Sequence, residues 1–522
     1  MAQAMVQGRK FAALGWLFVV AALLVAGPAT AQDKQQPKKE GGETPKLEII
    51  TRERTAVIDG RELAYEVTTG TLAVKTDEGK PRANMFFVAY TVGHAQQGTK
   101  RPITFCFNGG PGSSSVWLHL GMLGPRRVKL PADPVSAPPT TEVIDNPYSL
   151  LDVTDLVFID PVSTGFSRPA EGVEKKEFHG YQQDLRSVGE FIYQYLSRFD
   201  RWSSPKFLLG ESYGTLRAAG LAGHLQSTYN LELNGIILVS SVIDFQTIRF
   251  GAPNDLPYIL FLPSYTATAW YHKRLDESLQ SKPLKEVLAD VERFAITDYT
   301  LALMAGDTLS DERFDAIAKQ VALYTGLSAD YVRRSNLRIT MSRFAKELMR
   351  EEERTVGRFD SRYRGIDRDA AGESYDYDAS AAAVFGAFTS AVNQYLREEL
   401  EFEREQVYEI LTGNVHPWSY STFENRYVSA TETLRSAMVK NPHLRVLVAN
   451  GYYDLATPYF ASVYTFNHLG LPKHLRGNVE LTFYTGGHMM YTDEPSLKQL
   501  REDLLQFYKK AVPAGEAKPQ QP

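Results

Sequence analysis

The pentapeptide Gly210-Glu211-Ser212-Tyr213-Gly214 constrains this 522-residue chain more than any other feature. Residues 205–209 in front of it read as a short buried strand and the residues behind it as a helix. Ser212 therefore falls on a sharp strand-to-helix turn. Such a turn holds its central residue in a strained conformation, and small residues two before and two after it let the neighbouring backbones pass. The hydroxyl then stands free at the edge of a sheet. A serine hydroxyl is a poor nucleophile at its own pKa, so this reading requires a histidine to take the proton and a carboxylate to orient that histidine. The plainer alternative is a serine N-cap of the helix.

Both partners lie further along. Asp454 follows the strand-like run 444–450 and the turn Gly451-Tyr452-Tyr453, and His488 follows the strand-like run 479–484 and Thr485-Gly486-Gly487. Each is expected just past the carboxyl end of a buried strand, the edge at which open α/β sheets gather their chemistry. The order Ser, Asp, His is that of the α/β-hydrolase fold. Taken singly, Asp454 reads as a helix-capping loop carboxylate and His488 as a turn histidine. With Ser212 they form a candidate triad. The chain carries its own control: Gly372-Glu373-Ser374-Tyr375 repeats four of the five letters but continues with Asp376, and no strand precedes it, so it reads as loop.

Acyl transfer also needs N–H donors where the oxyanion develops. Residues 105–107 close a strand that opens into Asn108-Gly109-Gly110-Pro111-Gly112-Ser113-Ser114-Ser115. Glycines here bring backbone N–H groups close to a ligand, and the N–H groups of Gly110 and Tyr213 are the expected donors. A plain glycine turn is the alternative; a phosphate loop is disfavoured because no Gly-Lys-Ser/Thr follows.

Four separated blocks resemble the serine carboxypeptidases of the carboxypeptidase Y type. They are Asn108-Gly109-Gly110-Pro111-Gly112 with Ser114-Ser115, then Asn146-Pro147-Tyr148-Ser149 leading to Asp160-Pro161-Val162 and Gly165-Phe166-Ser167, then 210–214, and last Gly487-His488-Met489 with Asp493 and Pro495. The resemblance spans about 103–508 and is thin over 244–424. It implies the triad Ser212, Asp454 and His488, the oxyanion donors Gly110 and Tyr213, and Asn108 with Glu211 as binders of the terminal carboxylate of a peptide substrate. The chemistry agrees with the last pair: Asn108 offers an amide donor, and a carboxyl beside the nucleophile can share a proton with a substrate carboxylate. A loop-bracing Asn and a solvated Glu are the plain alternatives. The chain departs from the family pattern at Met122, where members carry a second glutamate, at Cys106-Phe107, where a Trp is usual, and at Ser113, where a Cys is usual. With Cys106 the sole cysteine, no intramolecular disulfide forms, as in a bacterial-type member.

Charge is nearly balanced, 57 basic against 62 acidic residues, which speaks against nucleic acid as a partner; 43% hydrophobic residues suffice for a full core. Arg9 and Lys10, an apolar run over 11–26 and Pro28-Ala29-Thr30-Ala31 read as a secretory signal over 1–31, cut after Ala31, which predicts a secreted or periplasmic enzyme. Residues 32–46 read as a disordered lead-in. The hydrolase core is expected over 47–245 and 424–513, a tail over 514–522, and a mostly helical cap over 246–423, inserted between the nucleophile and the acid. Alternation over 47–92 predicts antiparallel edge strands with turns at Asp59-Gly60 and Glu78-Gly79. Helical spacing predicts helices over 181–199, 215–228, 284–294, 314–324, 343–353 and 496–512.

Asp367, Asp369, Gly372 and Asp378 fall at the first, third, sixth and twelfth places of a calcium-type loop. The fifth place is Ala371 and the last ligand is not Glu, so a solvated acidic loop is the default. No His/Cys spacing suggests zinc, and no metal or cofactor is expected in the mechanism. The reading is an exported α/β-hydrolase removing C-terminal residues from peptides through an acyl-enzyme. An esterase or acyltransferase on the same triad, or a non-catalytic binding protein with a relic site, are the alternatives.

Overall fold

A computed structural model describes residues 49–512 apart from 77, 94–100 and 139; the expected signal, lead-in and tail lie outside the described residues. Strands β1 (Ile49–Ile58), β2 (Arg61–Lys75) and β3 (Pro81–Thr91) form an antiparallel meander. Asp59 and Gly60, at φ 49° and 74°, make its first turn, the left-handed pair that matches the twist of the flanking strands. The strands β4 (Ile103–Phe107), β5 (Asp155–Ile159), β6 (Lys206–Glu211), β7 (Gly235–Val239), β8 (Arg445–Gly451) and β9 (Val479–Tyr484) follow, each parallel to its neighbours among them. The sheet order is β1-β2-β3-β5-β4-β6-β7-β8-β9, with β5 antiparallel to β3 and Arg168–Pro169 also pairing with β3.

Side chains alternate between the two faces of each strand, so the sheet separates two cores. Phe87, Phe105, Leu208 and Ile236 share one with helices α1 (Tyr181–Arg198) and α2 (Tyr213–Tyr229). Phe86, Cys106, Leu209 and Ile237 share the other with α6 (Ala379–Gln394) and α7 (Glu494–Ala511). The Tyr508 hydroxyl of α7 reaches Thr104 Oγ1 on β4 at 2.6 Å. A third cluster lies between β7 and β8 in sequence, where α3 (Leu256–Tyr271), α4 (Leu284–Phe294) and α5 (Asp311–Thr325) pack together. Tyr452, Tyr453, Leu455 and Tyr459, from the loop after β8 and the helix beyond it, complete it. Helix α6 leaves that cluster: its Phe385 and Phe388 meet Trp117 at 4.7 and 4.8 Å, in the segment after the glycine block.

Two expectations need correction. The helix expected over 343–353 ends early: Met341–Glu347 is helical, Arg350–Glu352 is a tighter turn, and Glu353 at φ 55° stops it. The acidic loop is not simply solvated. Lys346 Nζ reaches Asp367 Oδ2 at 2.5 Å and the Asp369 carbonyl at 2.7 Å, with both side chains of the pair 3% exposed, and the Arg350 guanidinium donates to the carbonyls of Ala370 and Gly372. Oxygen atoms that the spacing brings together hold cationic side chains of the same chain. Among the described residues no helix is long and apolar enough to cross a membrane.

Candidate active site

Phe107 of β4 pairs with Gly210 of β6, so the glycine block and the pentapeptide leave the sheet side by side. The fit leaves no room for side chains. A Cβ on Gly210 would collide with the Gly214 carbonyl, one on Gly214 would lie 2.8 Å from Phe107 O, and one on Gly109 would strike Tyr213 N and lie 2.7 Å from Glu211 O. Ser212 sits at φ 58°, ψ −127°, a conformation that costs about 1–3 kcal/mol and persists where the surroundings impose it. Its amide donates to Val239 O at 3.0 Å, and its side chain makes no capping bond to α2, which removes the N-cap alternative. The second Gly-Glu-Ser-Tyr copy differs: Ser374 is exposed and in irregular backbone.

Asp454 and His488 meet at 2.8 Å, Oδ2 to Nδ1, both buried. The other carboxylate oxygen of Asp454 accepts from the amides of Ala456 (2.7 Å) and Thr457 (2.9 Å). Thr457 Oγ1 is 2.7 Å from Asp454 Oδ2 and 3.2 Å from His488 Nδ1, and Ser240 Oγ, just past β7, donates to the His488 carbonyl at 2.6 Å. Burial pushes the imidazole pKa down, but the Asp454 charge and hydrogen bond, with Glu211 adding, carry it above its ordinary value. With Asp454 accepting at Nδ1, the lone pair of the neutral ring lies on Nε2.

Glu211 is 3% exposed; burial lifts its carboxyl to about 7, against the lowering pull of His488 and of its hydrogen bonds. The Tyr491 hydroxyl donates to Glu211 Oε2 at 2.6 Å. Asn108 is also buried; its Oδ1 accepts from Leu118 N at 3.1 Å, and its amide lies beside the Glu211 carboxyl. The alternative of a solvated Glu does not fit these surroundings, while the bond to Leu118 N is the loop-bracing contact expected of the plain alternative for Asn108. Met122 is buried, and its carbonyl accepts from Asn146 Nδ2 at 2.8 Å. Gly110, at φ 101°, occupies a backbone conformation that suits glycine. The block is braced by Asp160, whose Oδ1 accepts from Ser115 N and Oγ at 2.9 Å each and whose carboxyl burial pushes up to about 6. Among the described residues no group of three or more His, Cys, Asp or Glu side chains is placed to hold a metal.

The sequence model of the serine carboxypeptidase family matches residues 60–498. The chain belongs to the serine carboxypeptidase family. As a serine-type carboxypeptidase it is similar to serine carboxypeptidase-like 34 of Arabidopsis thaliana, 25% identical over 77% of this chain and 74% of that protein. It is also similar to the pheromone-processing carboxypeptidase KEX1 of Yarrowia lipolytica, 31% identical over 31% of this chain and 25% of the other. Among solved structures, a prohormone-processing carboxypeptidase from Saccharomyces cerevisiae matches with a TM-score of 0.53 at 16% identity, over 85% of this chain and 91% of that one. The fold is that of the α/β-hydrolases.

In this serine carboxypeptidase the structure brings Asp454 to His488, sets Asn108 beside Glu211, the residue before Ser212, and lays Gly109 of the block on Tyr213. Three residues at the site escape sequence reasoning: Thr457, Tyr491 and Phe359. Thr457 and Tyr491 stand three positions beyond Asp454 and His488, a spacing that could have signalled them. Phe359, whose ring stacks on His488 with centroids 4.9 Å apart and planes 13° apart, comes from the insertion, and nothing in its local sequence marks it.

Proposed function

We propose that this exported carboxypeptidase removes C-terminal residues from peptides through an acyl-enzyme on Ser212. His488 Nε2 takes the Ser212 proton as Oγ bonds to the scissile carbonyl carbon, and Asp454 holds the imidazole in the required tautomer. The tetrahedral oxyanion sits on the N–H groups of Gly110 and Tyr213. Collapse breaks the C–N bond, with His488 giving its proton to the departing amine. Water, deprotonated by His488, then attacks the acyl carbon, and Ser212 leaves with the proton. Metal and cofactor play no part in these steps. Of residues 246–423, the part around α3, α4 and α5 forms a cap over the site, whereas α6 belongs to the core on the sheet; residues 1–31 direct export, which fractionation of the producing cells checks.

The observation that carries the exopeptidase reading is a buried carboxyl, poised near neutral pH on the residue preceding Ser212, with the Asn108 amide beside it. A protonated Glu211 and the Asn108 amide together match a substrate carboxylate, whereas an ionised Glu211 repels it. The test compares kcat/KM for one peptide with a free and an amidated C-terminus across the acidic to neutral range, alongside a matched ester. Preference for the free terminus that fades as pH rises supports the reading. Equal rates on both peptides at every pH, or turnover of the ester alone, overturn it.

A further inference from the structure

The five residues 357–361 cross from the insertion onto the site. They lie between the short paired strands Thr355–Val356 and Arg364–Gly365. Along one edge, Leu455 N donates to Arg358 O at 3.0 Å, Ser361 N donates to Tyr453 O at 3.0 Å, and His488 N donates to Phe359 O at 2.5 Å. The residues on both sides of Asp454, and His488 itself, are thus registered against one segment. Gly487 admits it: a Cβ there would strike Phe359 O and lie 2.5 Å from Asp360 Cβ.

The opposite edge is held by the start of α6. Asp378 accepts from Arg358 N at 2.9 Å and from Phe359 N at 3.2 Å, and Ser380 Oγ accepts from Phe359 N and Asp360 N at 3.1 Å each. Asp378 also caps α6 through Ser380 N at 3.0 Å. Ser361 is tied to α3 and the residue after it, through Thr268 Oγ1 at 2.6 Å and His272 Nε2 at 2.7 Å. The last position of the calcium-type spacing therefore serves a strap that lies on the histidine.

We propose that Phe359, held by Asp378, is a positioning residue that fixes the plane of the His488 imidazole and keeps water off one of its faces. This rests on the reading of His488 as the base. Asp454 fixes only the Nδ1 edge, which leaves the ring free to tilt about that bond. The stacked phenyl removes that freedom. The titratable and charged groups facing His488 are Asp454 on the loop after β8, Glu211 on β6 and Arg358 on the strap.

The test measures kcat, KM and the pH profile of kcat/KM for Phe359→Ala, Phe359→Leu and Phe359→Tyr in the whole enzyme, with His488→Ala as reference. Phe359→Ala and Phe359→Leu are expected to lower kcat about 10- to 100-fold with KM changed by no more than about threefold, the size of effect that lost orientation produces. Burial is the largest influence on the imidazole and pushes its pKa down, so hydrating its face moves the acid limb to higher pH. Phe359→Tyr, which keeps the ring, restores both. If Phe359→Ala fails to fold, the Leu and Tyr variants decide between them. Parent kcat and an unmoved limb in Phe359→Leu overturn the proposal, provided that His488→Ala is inactive; activity in His488→Ala overturns the base reading instead.

Discussion

At the scale of single residues, the sharpest contrast is between two serines in the same four-letter context. Ser212→Ala and His488→Ala are expected to lower kcat by about 10⁴ or more with binding largely kept, while Ser374→Ala leaves it unchanged. Steady-state kinetics on one peptide checks all three, and an essential Ser374 would sink the assignment. Glu211 adds a pH signature. Its carboxyl is protonated below about 7 and ionised above, so binding of a free C-terminus weakens as pH rises through that value. Glu211→Gln removes this alkaline loss. Because the Glu211 charge also raises the His488 pKa, the same variant moves the acid limb to lower pH. A pH profile with both limbs unmoved would show that Glu211 neither reads the carboxylate nor touches the base. The residues of this site were legible where chemistry and position coincide in a short motif, as at Ser212 and His488. Tyr491 was not, because a tyrosine that follows Met489 and Met490 looks like core until its hydroxyl is seen 2.6 Å from Glu211.

Among the elements, the turns around the site are governed by contact distance. The Cβ that Gly109→Ala adds would press on Tyr213 N and Glu211 O, so the variant is expected to lose activity by more than about tenfold through displacement of the block. Gly172→Ala serves as the control, since a Cβ there meets nothing within 4 Å and its φ of 80° makes the cost one of backbone strain, felt as a lower Tm with the activity of the folded enzyme kept. Equal kcat in Gly109→Ala and the parent would remove the close approach from the argument. Strand and helix reading succeeded where periodicity is long, as along α1 and α7. It passed over β5 and β7, whose short continuous apolar runs suit strand or buried helix alike and, unlike those of β6, β8 and β9, lead to no candidate triad residue. The strap over His488 was invisible for another reason: its register is set by hydrogen bonds to segments far away in sequence.

For the whole molecule, the strap and α6 are two of the places where the residues between β7 and β8 are tied to the rest of the fold. Lys346 and Asp367 form the buried link beneath the strap's neighbouring loop. Removing one partner of such a pair leaves an uncompensated charge, so Lys346→Met is expected to cost about 3–5 kcal/mol. Urea unfolding measures it; a loss below about 1 kcal/mol would show the pair to be dispensable. With Lys346 already occupying the loop oxygens, EDTA should leave the parent's activity and unfolding midpoint unchanged, and a fall reversed by calcium would contradict that. The bond between Tyr508 and Thr104 has a temporal consequence. Its two ends stand 404 residues apart, so β4, from which the glycine block springs, gains this partner on α7 only after the intervening chain has been made. In refolding, recovered turnover should lag recovered helical signal, because closing contacts across such sequence separations is the slow part of assembly.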